Sequence, residues 1–294
     1  MPSDRLKNQI HLHFIVFIWG FTAILGALIT INAMSLVWYR VLIASITLFI
    51  YLKFKKTSFN ETLFDYFKLM IGGILIALHW STFFYAIKIS NISTTLIAMS
   101  SSAVFLVLLQ PLFDKKNFSF TELLLSIITI IGFVIIFNVD GMYVRGIIFG
   151  LISAFLLAIF SMYNNKLIRK YPASKIAFYE LFAAFLFLTL ILFFKGDFKP
   201  SYFDLKNSDW LYITILATLC TAYPFVVATN LLRKMGTFTI VLTNNLEPVY
   251  GILLAVIIFG DKEKMSLQFY FGALLIISSV ILNAIIKNKL RFKK

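Results

Sequence analysis

Residues 237–259 read TFTIVLTNNLEPVYGILLAVIIF, an almost wholly apolar stretch interrupted by Asn244, Asn245, Glu247 and Pro248. About 20 mostly apolar residues in a helix cross the hydrocarbon of a bilayer, so this stretch is long enough to span one. A carboxylate at its centre is expensive unless it meets a cavity, a partner or a proton. What the polar centre does therefore depends on whether lipid surrounds the chain.

Composition decides that point. The chain has 294 residues, of which 60% are hydrophobic and 14% charged, with 33 Phe and a mean hydropathy of +0.90. Soluble proteins draw about 25% of their residues from the charged set, so no aqueous surface can be built here. The fold class expected is an all-α integral membrane protein, multi-pass in the cytoplasmic (inner, plasma) membrane. The net charge of +14 comes from short basic clusters between apolar runs, which speaks for topology signals and against a nucleic-acid partner. The single Cys220 excludes a disulfide framework and reads as a small buried hydrophobe. The basic N-terminus lacks a small-residue cleavage site, so the first run is read as a retained span.

Ten apolar runs emerge: Ile10–Ile31, Leu36–Lys53, Tyr66–Lys88, Ile92–Phe113, Phe120–Asn138, Val144–Lys166, Ser174–Lys195, Trp210–Leu231, Thr237–Phe259 and Leu267–Lys287. Sorting the connections by alternate sides puts 19 basic residues on the side of both termini and seven on the other. Arg40, inside a span, completes the 27. The positive-inside rule then places both termini in the cytoplasm.

The second half repeats the first at a spacing of 140–147. WYRVLIASITLFIYLKFKK (Trp38–Lys56) answers FYELFAAFLFLTLILFFKG (Phe178–Gly196), and Asp65-Tyr66 answers Asp209-Trp210. AIKISNISTTL (Ala86–Leu96) answers LLRKMGTFTIV (Leu231–Val241), and Ser119 answers Ser266. Five spans per copy is odd, so the second copy enters from the opposite face. This gives two inverted five-helix repeats, 1–139 and 140–294, an arrangement typical of secondary transporters with a midplane site.

Ten spans in a five-plus-five repeat resemble the drug/metabolite transporter superfamily, specifically its EamA-type ten-helix permeases. The local signatures are WYR (38–40), FYAIK (84–88) and LEPVYGILLAVIIFGDK (246–262). The last is similar to the family's Glu-Pro at the start of a small-residue-rich ninth span. Gly260-Asp261 stands where the family more often has Gly-Glu. The first copy departs further, with Ser102-Ala103 at the Glu-Pro position. The resemblance implies an exporter of a small metabolite, with an amino acid or related solute leading and nucleobase-like or amphipathic drug substrates behind it.

The candidate residues follow from depth and helical spacing. Thr243, Asn244, Glu247 and Gly251 share one face, while Pro248 frees the carbonyl of Asn244. Glu247 is read either as a substrate contact or proton carrier, or as a carboxyl that shapes the kink. His79 and Trp80 stand mid-span in the third run, with Tyr223, beside Pro224, as the repeat counterpart of His79. Together these are expected to give an aromatic, partly polar wall. Arg40 is a candidate for a substrate carboxylate, and its mate Glu180 is expected to snorkel to the interface. Ser102 in the Ser100-Ser101-Ser102 run either packs or lines the pathway. Tyr163 and Asn164 near the inner end of the sixth run are cavity-capable or interfacial. Pro248, Gly251 and Pro224 are assigned kink and packing roles.

No GxxxxGK[ST] phosphate cradle exists, so the driving force is a substrate gradient, an exchanged solute, or protons through Glu247 or His79. No cofactor is expected, and His11, His13 and His79 offer no metal-ligand set. The leading function is a secondary transporter working by alternating access, not an enzyme. Its partners are a small-molecule substrate, the lipid bilayer and a coupling proton, and it is expected as a monomer or weak homo-oligomer. The alternatives are a polytopic enzyme acting on lipid-linked substrate, or a non-transporting pore or scaffold.

Overall fold

The computed structural model describes residues 2–114, 120–139, 143–235, 237–244, 246–260 and 265–291. Among them every regular element is a helix. Seven stretches are long and apolar enough to cross a membrane, and they coincide with the first four runs and the sixth to eighth. The remaining three runs carry shorter apolar helices. In chain order the elements are α1 (Pro2–Leu28), α2 (Ala33–Phe54), α3 (Leu63–Ile89), α4 (Ile92–Met99), α5 (Ser102–Asp114), α6 (Phe120–Val139) and α7 (Val144–Leu167). Then come α8 (Ala173–Phe194), α9 (Asn207–Ala217), a π-helical segment (Thr218–Ala222), α10 (Tyr223–Met235), α11 (Thr237–Asn244), α12 (Glu247–Phe259) and α13 (Leu267–Arg291). The closing Gly260-Asp261 pair falls only half within view, since Asp261 lies outside the described residues.

Side-chain caps start several of these helices. Asn32, Thr62 and Asn91 accept hydrogen bonds from the backbone N–H three residues on, at 2.9, 3.2 and 2.8 Å, satisfying donors that the first turn leaves free. Large apolar side chains such as Ile46, Phe49, Ile50, Phe193 and Phe194 stand exposed on the outside of the bundle. In water such a surface would aggregate. In lipid it is the solvated face.

Three runs depart from a straight continuous helix at depth. The fourth divides at Ser100-Ser101, whose hydroxyls donate back to the Ile97 and Ala98 carbonyls at 2.7 Å each. Such back-bonding competes with the helical ladder and bends it. The ninth divides between Asn244 and Glu247, next to Pro248, whose missing N–H cannot continue the ladder. The eighth carries the π segment just before Pro224, and Thr221 donates to the Leu216 carbonyl five residues back at 2.6 Å. The irregularities in the eighth and ninth runs fall beside Pro224 and Pro248, where kinks are expected, while the division of the fourth run at Ser100-Ser101 is not foreseen.

The packing of the helices is reciprocal. α2 packs on α8, α6 on α13, and the broken α4 on the broken α12. α3 lies against α7 and α8, α9 and the π segment lie against α1 and α2, and α10 lies against α1 and α8. α3 approaches α8 through Gly72 and Gly73. A Cβ on Gly72 would collide with the Glu180 carboxylate, and one on Gly73 with the Glu180 carbonyl and Ala183. Small residues of this kind allow close approach where lipid supplies no hydrophobic drive between helices.

Candidate functional site

The broken helices surround a cavity of about 100 Å³, room for several waters or a small solute at about 10–15 Å³ per water. Eight helical segments and the π segment contribute to its wall. Arg40 of α2 is 1% exposed, and its guanidinium carbon lies 3.9 Å from the Trp80 ring centroid. Arg40 Nε donates to Thr221 Oγ1 at 2.6 Å, while Nη1 has no hydrogen-bond partner among the described residues. A desolvated cation–π contact with Trp is the strongest of its type, about 2 kcal/mol or more. The stacking and the single hydroxyl hold the charge without neutralising it.

His79 presents its ring to the same cavity. Its Nδ1 lies 2.9 Å from the Ser153 carbonyl and 2.8 Å from Ser153 Oγ, which itself donates to the His79 carbonyl. This pair ties α3 to α7 and fixes the ring. Asn244 and Glu247, on either side of the break between α11 and α12, line the same cavity. Asn244 Oδ1 is buried without a donor. Glu247 and Arg40 line the same cavity. The two do not form an ion pair within 4 Å; among the described residues the ion pairs are Lys170–Asp65 and Lys175–Glu61.

Six of the sequence-derived candidates thus meet at one cavity: Arg40, His79, Trp80, Asn164, Asn244 and Glu247. Thr243, Ser102, Tyr163, Tyr223, Pro224 and Gly251 are not on its wall. Tyr223 is exposed, and its hydroxyl sits 2.6 Å from His11 Nε2. Tyr163 donates to the Lys68 carbonyl at 2.7 Å, and Ser102 is buried at the start of α5. Gly251 faces α1 and α4, where a Cβ would meet a Leu96 methyl; it leaves the polar stripe and serves packing. The Pro248 side chain lies outside the described residues.

The displacement of Tyr223 has a physical cause. The extra residue of a π segment rotates all that follows by about 100°, one helical step. Thr221, Phe225, Ala228, Thr229 and Leu232 then face the cavity in its place. Phe160 and Trp19 also line it, and in a Phe-rich sequence nothing singles them out.

Glu180 corrects the expectation of snorkelling. It is 0% exposed, and Oε2 accepts from Asn164 Nδ2 at 3.2 Å. Among the described residues Oε1 and Asn164 Oδ1 lack partners. The space that Gly72 and Gly73 leave on α3 admits the carboxyl to the interior, which no reading of α8 alone reveals. No group of three or more metal-ligating side chains occurs among the described residues.

Helices of membrane-crossing length, broken at depth around a polar cavity, define a multi-pass membrane transporter. The EamA-like transporter family matches residues 10–138 and again 144–285, and the chain belongs to that family, within the drug/metabolite transporter superfamily. It is similar to a Clostridium kluyveri protein described as an uncharacterized transporter, 21% identical over 240 residues that cover 79% of this chain and 76% of the relative. A solved structure titled only as a crystal structure of a protein superposes with a TM-score of 0.69 at 16% identity, over 95% of this chain and 97% of the other. That likeness speaks for the fold alone.

Proposed function

We propose that the chain is a secondary transporter that exports a small amino-acid-like solute across the cytoplasmic membrane by alternating access. The observation that carries the reading is the cavity's separated charges. Arg40, buried and stacked on Trp80, has an Nη1 with no partner among the described residues, and Glu247 and the Asn244 carbonyl, likewise without a partner there, line the same cavity. A guanidinium suits a carboxylate through parallel hydrogen bonds. A carboxylate with an amide carbonyl suits an ammonium. The aromatic lining of Trp19, Trp80, Phe160 and Phe225 suits an apolar body between the two ends.

Several features support the wider scheme. The reciprocal helix packing and the tandem family matches favour two copies of five spans, 1–139 and 140–294. Broken helices at repeat-related positions favour a substrate site at their interface. The split of basic residues favours cytoplasmic termini. Glu247 or His79 carries the coupling proton, and the working unit is a monomer or weak homo-oligomer.

The test is a thermal-shift screen of the purified protein against amino acids, nucleobases and cationic dyes, followed by flux of the hits in proteoliposomes. Amino acids should raise apparent stability and show saturable, competable flux. Hits confined to dyes would overturn the substrate class, and the absence of saturable flux for every hit would overturn transport.

A further inference from the structure

The turn between α1 and α2 and the turn between α7 and α8 are held by the same pair of devices, and the site described above uses neither. Asp209 is the third residue of α9, as Asp65 is of α3. Asp209 is 1% exposed; its Oδ1 accepts from Thr30 N at 2.8 Å and its Oδ2 from Thr30 Oγ1 at 2.6 Å. Asp65 accepts from Lys170 Nζ at 2.7 Å and from the Tyr171 hydroxyl. Thr30 precedes the α2 N-cap Asn32 by two residues, and Lys170 precedes the α8 N-cap Pro172 by two.

A cation completes each grip. Lys88, in the last turn of α3, donates to the Ile29 carbonyl. Arg233, in the last turn of α10, donates to the Ile168 carbonyl at 2.6 Å. Lys88 and Arg233 are aligned in the sequence repeat, as are Asp65 and Asp209. An acidic residue in a first helical turn ordinarily serves its own helix end. Here both carboxylates reach the other half of the chain.

α3 therefore carries Asp65 at one end and Lys88 at the other, and the eighth run carries Asp209 and Arg233. Each clasp takes its carboxylate from one half and its cation from the other. The two turns lie at opposite ends of the bundle. α8, of 22 residues, separates Lys170 at its start from Asp209 beyond its end by about 33 Å at 1.5 Å per residue.

We propose that these are the two gates of the transport cycle: Asp209 and Lys88 close one face on the Thr30 turn, and Asp65 and Arg233 close the other on the Lys170 turn. Both are made in this structure. The cycle opens one while the other holds as the hinge, so each face is exposed in turn. The inference rests on the alternating-access reading.

The experiment reads sidedness without any substrate. In a Cys220→Ser background, Ala228→Cys places a thiol on the cavity wall, and a membrane-impermeant maleimide is applied from either side of sealed vesicles. Asp209→Asn should raise labelling about ten-fold from the Thr30 face only, the loss of one charge-assisted bond. Asp65→Asn should raise it from the Lys170 face only. Thr30→Ala and Tyr171→Phe, milder cuts of the same bonds, repeat the test should an Asp variant fail to stay monodisperse. Increased labelling from the same face in both variants, or none in folded variants, overturns the proposal. Sided labelling in a protein without saturable flux would keep the gates and refute the transport reading. Saturable flux with unsided labelling would do the reverse.

Discussion

Arg40→Met separates what the guanidinium does for folding from what it does for a ligand. The substitution removes the stacking on Trp80 at 3.9 Å and the bond to Thr221 Oγ1. These are worth about 2 kcal/mol and about 1.5–3 kcal/mol. Against that loss, it removes the desolvation cost of a buried charge that has no ion-pair partner, on the order of several kcal/mol. Thr221 still donates to the Leu216 carbonyl, so no donor is orphaned. The terms nearly cancel, and the variant should purify folded with stability close to wild type. Ligand binding should not survive so well. Truncating one partner of a buried charged pair costs about 2–5 kcal/mol, and taking about 2.7 kcal/mol gives a 100-fold weaker Kd. At a ligand concentration of about 100 Kd, stabilisation should fall from about 2.7 to about 0.4 kcal/mol. The assay is thermal unfolding of both proteins with and without the best amino-acid hit. An unchanged ligand shift in folded Arg40→Met would refute Arg40 as the carboxylate anchor.

Gly73→Leu should abolish the monodisperse protein, because a Cβ there already sits 2.6 Å from the Ala183 Cβ and overpacking costs about 1–3 kcal/mol or more. Gly196→Ala meets nothing within 4 Å and strains only a φ of +68°, so its melting temperature should fall slightly; equal behaviour of the two variants in size-exclusion chromatography would contradict this packing. Glu247→Gln should leave folding intact and remove the pH dependence of flux, and a pH profile identical to wild type would rule out Glu247 as the proton carrier. Burial pushes the Tyr202 hydroxyl, in the turn before α9, up to about 12. The phenolate is thereby disfavoured in the folded state, so the contribution of Tyr202 to stability is complete below about pH 10 and is lost as pH rises towards 12. Alkaline unfolding of Tyr202→Phe should come later than that of wild type, and an earlier midpoint would refute the assignment.

The helical runs were legible because membrane-crossing length is a crude property that 20 apolar residues display without context. Helix continuity was not. Whether Ser100 and Ser101 turn their hydroxyls back on the chain, and whether a helix before Pro224 slips into a π turn, depend on neighbours distant in sequence. The π turn then cost the reading of Tyr223, since one inserted residue moves a side chain to another face. Arg40 was legible as unusual but not as buried, because its environment comes from Trp80 and Thr221, 40 and 181 positions away. Glu180 was misplaced for the same reason, its pocket being made by glycines on α3. Asp65 and Asp209 were visible as a repeat match and nothing more, since a clasp needs its other half.

On the proposed reading, the two buried charges of the cavity and the clasps at the two ends of the bundle answer one physical demand. Arg40 and Glu247 share a low-dielectric space without touching, so each is only partly compensated by the other. Water would compensate both, and so would a solute with opposite charges at its ends. A cavity open to both faces at once would let water do it and would leak; one open to neither could not exchange its contents. Closure at both ends is therefore most favourable when the solute has taken over the water's role, and in the proposed cycle the clasps open one at a time. On the proposed reading the ligand supplies the differential stabilisation that a change of state requires, because the occluded cavity is costly when empty of countercharge and relieved when filled.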